Sequence, residues 1–245
     1  MRIAVVSDIH GNLTALDAVL ADLRQVAADL VVHGGDLVGS GSRPAEVIDR
    51  IRDLRWPGVY GNTDEMLWRP ERLTEMLGAP QFDRMRDVLI TQIIPATLDA
   101  IGNDRLAWLR ALPIRWSGHD LTVVHAGPDD AWRSPAANAT DEELERVYAP
   151  LATRVVVYGH MHVSYVRRLP SFIVANSGSV SVSYDGDPRA AYAVIDNGDV
   201  AIRRVEYDVE EEISRLKAAR YPEADWIAEM LRKAGYVPMP VDQHA

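Results

Sequence analysis

The sequence predicts an α/β protein whose strands all stop at one functional edge. Three observations carry that expectation. Short β-branched runs closed by glycine recur along the chain, the pattern of buried strands. Stretches with apolar residues at helical spacing follow several of them. The runs also end in carboxylate, imidazole or amide side chains: Asp8 and His10, then Asp36, Asn62, His125, and finally His160 with His162. In open α/β sheets, ligands bind beyond the carboxyl ends of the strands.

The elements follow in order. Ile3-Ala-Val-Val-Ser-Asp8-Ile-His10-Gly11-Asn12 is a strand and its turn, and Leu13, Leu16, Leu20 and Leu23 then mark one face of a helix. Asn12 reads as that helix's cap rather than as a phosphate contact. Asp29-Leu-Val-Val-His-Gly34-Gly35-Asp36 is a second buried strand, and His33 inside it reads as structural. Pro44 opens a helix, its preferred place being the first turn. Trp56-Pro-Gly-Val-Tyr-Gly61-Asn62 is expected to form a third short strand.

Residues 65–113 lack any strand–loop–helix alternation and read as an inserted helical cap beside the site, with a separate helix from about Asn103 to Leu112. Arg69, Arg72, Arg84 and Arg86 lie on this segment, within reach of a phosphate-bearing substrate, although each reads first as part of a solvated helix face. Strands resume at Ile114-Arg-Trp, at Asp120-Leu-Thr-Val-Val-His125, and at Arg154-Val-Val-Val-Tyr-Gly159-His160-Met-His162. Thr140 with Glu143 three residues on is a capping box for a helix over about 141–148. Residues 163–207 alternate strands and turns and read as mainly antiparallel, and helical pieces close the chain at about 209–219 and 222–234. His119 and His244 lack the strand-end context, and the tail after Gly235 is Pro-rich. The expectation is one domain over 1–245.

Composition bounds the function. With 26 basic against 36 acidic residues the net charge is −10, which argues against a general nucleic-acid binder. A phosphate substrate is still compatible, because bound cations invert the local field. There is no cysteine, hence no disulfide, zinc-thiolate site or thiol nucleophile. The short first strand is no signal-peptide core and no run approaches transmembrane length, so a cytoplasmic protein without membrane association is expected. Homo-oligomerisation is left open.

Seven ligand-type side chains in five strand-end blocks exceed what one ion takes, but they suit two. Two cations about 3.5–4 Å apart clamp a phosphoryl group and activate a bridging water for in-line attack. Asp36 is the best candidate for the shared ligand. Oxygen and imidazole donors without thiolate suit Mn, Fe, Mg, Ni or Zn, and donor type alone does not choose among them; Mn²⁺ is the favoured expectation.

These blocks, in this order, resemble the calcineurin-like metallophosphoesterase superfamily. The motifs are Asp8-Ile-His10, Gly35-Asp36, Gly61-Asn62-Thr63-Asp64, His125 and Gly159-His160-Met-His162. They look most like the small bacterial and archaeal phosphodiesterase branch, near the diadenosine tetraphosphatase-like proteins. The resemblance implies a four-layer αββα sandwich with two central sheets. It implies one metal held by Asp8, His10, Asp36 and His162, and another held by Asp36, Asn62, His125 and His160. The implied activity is hydrolysis of a phosphodiester or nucleoside polyphosphate by a metal-bridging hydroxide, with Asn62 and the metals stabilising the equatorial oxygens. Asn62, Asp64 and His125 are the residues expected to take part in the chemistry. One departure stands out: many members carry a His after the motif Asn, where it helps protonate the leaving group, and this chain has Thr63. Asp64 is the nearest titratable substitute, or else it orients a ligand or caps a helix. The competing readings are a phosphomonoesterase or phosphoprotein phosphatase, and a non-catalytic interaction module on the same fold. A DNA nuclease would require a basic channel that is not visible.

Overall fold

The computed structural model describes residues 1–239. Strands β1 (Arg2–Val6) and β2 (Leu30–His33) pair in parallel, and β8 (Ala190–Asp196) and β9 (Asp199–Val205) complete that sheet in the order β2-β1-β8-β9. The second sheet has the order β3-β4-β5-β7-β6, built from β3 (Arg115–Gly118), β4 (Leu121–Val124), β5 (Val155–Tyr158), β6 (Tyr165–Arg168) and β7 (Ile173–Asn176). Within it β4, β5 and β7 run parallel.

Strand alternation explains the layering. Successive side chains point to opposite faces, and these strands are apolar on both. Ile3 and Val5 of β1 meet Leu121, Val123, Val155 and Val157 of the other sheet, forming the central core between the sheets. Ala4 and Val6 face the other way, onto helices α1 (Leu13–Val26) and α2 (Pro44–Asp53). Val124, Val156 and Tyr158 pack outward against Leu144 and Tyr148 of α7 (Asp141–Tyr148). The result is the four-layer αββα arrangement with two mixed sheets.

Local signals set the helix ends. The Asn12 side chain accepts from the Ala15 N–H at 2.9 Å, so it is the cap of α1. Thr140 and Glu143 form the capping box of α7. The segment after Asn62 is helical: α3 (Asn62–Glu65), α4 (Glu71–Met76), α5 (Asp83–Val88), a π turn at Leu89–Ile93, and α6 (Ile94–Arg110). Gly102 breaks α6 with φ 68° and ψ 174°, so a separate helical piece follows it, where Asn103 was expected to start one. Helices α8 (Val209–Ala218) and α9 (Ala224–Lys233) close the described chain. His244 lies outside the described residues. Among those described, no helix is long and apolar enough to cross a membrane.

One expectation is corrected. Trp56–Tyr60 is not a strand: it makes only an isolated parallel bridge between Gly58 and His33. Pro57 has no N–H to contribute to a ladder, which leaves too short a run to pair. Residues 163–207 are mainly antiparallel, as expected: β6 pairs antiparallel with β7, and β8 with β9 and, back in the first sheet, with β1. Only the pairing of β7 with β5 is parallel.

Glu212 of α8 shows how the C-terminal helices are tied to the sandwich. Its side chain is fully buried, accepts from the Thr14 hydroxyl at 2.8 Å and the Ser42 N–H at 2.9 Å, and lies 3.8 Å from the Arg43 guanidinium. Removing it leaves these donors and a cation without their buried partner. Glu212→Ala is expected to cost about 3 kcal/mol in urea unfolding, with Glu212→Gln costing less. An unchanged unfolding midpoint for the alanine variant would contradict this role.

Candidate metal centre

The parallel strands within each sheet explain why the ligand-type residues meet. Asp8 follows β1, Asp36 follows β2, His125 follows β4, and His160 follows β5, so all four leave the same edge of the sandwich. The turns that carry them are tightly wound. Asp8, His10, Asp36, His160 and His162 all have positive φ, between 51° and 64°. For non-glycine residues this conformation costs energy and concentrates at functional sites.

Glycine makes room for the carboxylates. A Cβ at Gly159 would lie 2.1 Å from Oδ2 of Asp8, and one at Gly61 would lie 2.1 Å from Oδ1 of Asp36. Any other residue at either place would push a carboxylate out of position.

Two groups of donors result. Asp8, His10, Asp36 and His162 are all buried, with one donor atom of each within 4.8 Å of the others. Nε2 of His162 lies 3.1 Å from Oδ1 of Asp8 and 3.1 Å from Nε2 of His10. On the other side, Oδ1 of Asn62 lies 2.9 Å from Nε2 of His125 and 2.8 Å from Nδ1 of His160. Asp36 reaches both groups: its Oδ2 is 3.6 Å from His10 Nε2 and its Oδ1 is 3.4 Å from His125 Nε2. All seven expected ligands are thus brought together.

The chemistry of the donor set fits a cation. The Nδ1 atoms of His10, His125 and His162 face the backbone carbonyls of Val38, Gly34 and Val182. An imidazole donating there presents an unprotonated Nε2 on its other side, the orientation in which protein histidines hold metals. The Nε2 atoms of His10 and His162 then face each other as lone pairs, an arrangement that a cation between them relieves.

The electrostatics agree. Burial would push the Asp8 carboxyl up, but the adjacent His162 imidazole, with help from His125 and His10, holds it below the usual carboxylate range. Burial lowers His160 to about 4 and also lowers His10, which keeps both rings neutral and ready to donate a lone pair. For His125 burial acts downward, but Asp36 and Asp8 outweigh it and push the ring up.

Asp64 is corrected. It is fully buried, and its carboxylate accepts from the N–H groups of Leu37 (2.9 Å), Val38 (3.3 Å) and Gly61 (2.9 Å). Burial and the nearby Asp36 push it up to about 7. It braces the loops that carry Asp36 and Asn62. Thr63 is engaged too: its hydroxyl donates to the Val38 carbonyl at 2.7 Å and its N–H to Oδ1 of Asp36 at 2.8 Å. Asn12 is fully buried as a helix cap, and its amide also donates to Ser181.

A cavity of about 370 Å³ opens onto the cluster, with His10, Asp36, Asn62, Thr63, His160 and His162 at one end. Part of its wall comes from the helical segment expected beside the site, and the rest was not foreseen. Tyr184 stacks on His162 with ring centroids 4.8 Å apart, and Trp226, Met230 and Tyr236 come from the C-terminal segment. No motif marks these residues, since they meet the site only through the packing of α9 on the loop after β7.

His10 permits a direct test of the strained turns. In metal-free protein, His10→Gly is expected to be more stable than His10→Ala by about 1 kcal/mol, because φ is 52° there. Equal melting of the two variants would show that the turn carries no such strain.

Comparison with known proteins agrees with this geometry. The chain matches the calcineurin-like phosphoesterase superfamily domain over residues 1–199. It is 30% identical over 252 residues to the uncharacterized protein MJ0912 of Methanocaldococcus jannaschii, covering 94% of this chain and 96% of that one. It is 28% identical over 208 residues to the phosphodiesterase YfcE of Escherichia coli, covering 80% and 88%. The crystal structure of a metallophosphoesterase from Sphaerobacter thermophilus superposes with a TM-score of 0.78 at 28% identity, over 96% of this chain and 99% of that one. The chain belongs to the calcineurin-like phosphoesterase superfamily, and it is a metal-dependent phosphoric ester hydrolase.

Proposed function

We propose that the protein hydrolyses a phosphodiester at a dinuclear centre, with Asp36 shared between the two metals. The observation that carries this reading is that the two Asp36 oxygens face different donor groups, Oδ2 toward His10 and Oδ1 toward His125. Asp8, His10, Asp36 and His162 would hold one divalent ion, and Asp36, Asn62, His125 and His160 the other; the oxygen and imidazole donors suit Mn, Fe, Mg, Ni or Zn without choosing among them, and Mn²⁺ is the ion used in the test. Such ions supply Lewis acidity toward the phosphoryl oxygens and make water a competent nucleophile at neutral pH.

The chain's own residues do the positioning. The Thr63 N–H and the Asp64 carboxylate fix Asp36 and the loop beside it. Asn62 lines the cavity with its Oδ1 turned to His125 and His160, so its amide N–H donors are left for a phosphoryl oxygen, an electrostatic role in the transition state. His160 lines the same end of the cavity. The Thr63 hydroxyl is committed to Val38 and Asp64 is shut away, so neither protonates a leaving group. This favours esters whose leaving group departs as a stable anion. YfcE, the similar E. coli protein named a phosphodiesterase, supports the diester reading over a phosphomonoester.

The test is hydrolysis after metal stripping and stepwise Mn²⁺ addition, with bis-p-nitrophenyl phosphate beside p-nitrophenyl phosphate. Turnover is expected to return with Mn²⁺ and to be faster on the diester. Asp36→Ala should fold normally by circular dichroism yet lose about a thousandfold in kcat, a loss of several kcal/mol in transition-state stabilisation. Full activity in that variant would contradict the shared-ligand assignment, and faster turnover of the monoester would contradict the diester reading.

A further inference from the structure

We propose that the substrate's phosphoester carries a long apolar chain, alkyl in character, on the group that stays bonded to phosphorus, and that this chain lies along the cavity wall; this rests on the hydrolase reading above. The wall is unusual in composition. Met66, Met76, Met85 and Met230 line it, four of the protein's seven methionines, together with Leu73, Leu77 and Leu89. Methionine is flexible and polarisable and fits itself to irregular apolar partners. Six of these seven residues come from the helical segment between Met66 and Leu89; Met230 on α9 is the exception.

The two indole donors of the wall are already spent inside the protein, which leaves the hydroxyls of Ser40, Tyr184 and Tyr236 as its few remaining polar groups beyond the cluster. Nε1 of Trp132 donates to Glu65 at 2.6 Å, and Nε1 of Trp226 donates to the Val237 carbonyl at 2.8 Å. What both rings leave for a ligand is apolar surface, with little to read the edge of a base.

Charge points the same way. Among the described residues, no Lys or Arg lines the cavity. Four arginines of the helical segment are bound to carboxylates: Arg69 to Glu65 at 2.9 Å, Arg72 to Asp130 at 2.9 Å, Arg84 to Glu223 at 3.2 Å and Arg86 to Asp83 at 2.7 Å. A nucleoside polyphosphate would bring several anionic groups beyond the metal cluster, and this wall has no cation for them. Burying such charges unpaired is prohibitive, whereas an alkyl chain gains from the same surface. The cavity volume falls within the range that small-molecule sites occupy.

The test reads binding, so it does not depend on turnover. Methyl-, butyl- and octylphosphonate are titrated into Mn²⁺-loaded protein by calorimetry, with AMP as the nucleoside comparison. Kd is expected to fall about fourfold per added methylene until the cavity is filled, and octylphosphonate should bind more tightly than AMP. Met76→Gln, at a half-buried position where folding tolerates the change, should flatten the series. A flat series in the native protein, tighter binding of AMP, or an undiminished slope in Met76→Gln would overturn the proposal. Turnover of bis-p-nitrophenyl phosphate, measured separately, decides the hydrolase reading: turnover with a flat series removes only the apolar-chain proposal, and a steep series without turnover removes only the hydrolase.

Discussion

The left-handed turns at the strand ends are the constraint on which the site depends. Five of the seven donor residues sit at positive φ, and at roughly 1 kcal/mol apiece the combined cost is about 5 kcal/mol, comparable with the whole net stability of a small domain. Such turns persist only where their surroundings over-determine them. Here the loops after β1 and β2 are laced to each other: Asp8 N–H donates to Gly35, His10 N–H to Asp36 and Gly11 N–H to Leu37. The loop after β7 adds a third strand of support, with Val180 N–H donating to Ser7 and the Ser179 hydroxyl to Asp8. The backbone hydrogen bonds that finish the sheets also aim the ligands.

The second organising fact is a division of labour within one cavity. Charged and imidazole groups gather at the end fed by the strand turns, and the helical segment after Asn62 supplies a wall of sulfur, aliphatic and aromatic surface. The arginines that would extend a positive field outward are consumed by carboxylates, Arg69 and Arg86 by their own segment and Arg72 and Arg84 by Asp130 and Glu223 beyond it. A net charge of −10 fits this picture, since attraction of substrate anions is left to the metal centre itself.

Much of the site was legible in the sequence because its information is local. A ligand that ends an apolar run must lie at a strand's carboxyl end, and parallel pairing then brings such ends together; Asp8, Asp36, His125 and His160 were readable for that reason. The Asn12 cap and the Thr140–Glu143 capping box are likewise short-range patterns. What was not legible depends on distant partners. Trp56–Tyr60 looks strand-like until Pro57 is weighed against the need for a ladder N–H. β8 and β9 follow directly on the second sheet's strands, yet they join the first, because β1 has an open side that their apolar faces cover. Asp64 looked like a titratable group beside the site, and only its burial under three backbone N–H donors reveals a brace. Tyr184, Trp226 and Met230 carry no motif, and they reach the cavity through packing alone.

The central claim is that Asp36 joins two metal sites into one centre. Electron paramagnetic resonance of protein loaded with two equivalents of Mn²⁺ tests it most directly. A shared carboxylate couples the spins, so the account predicts a broadened, exchange-coupled signal that gives way to a simple six-line spectrum in Asp36→Ala. Two uncoupled six-line signals in the unaltered protein, or binding of only one Mn²⁺, would contradict it.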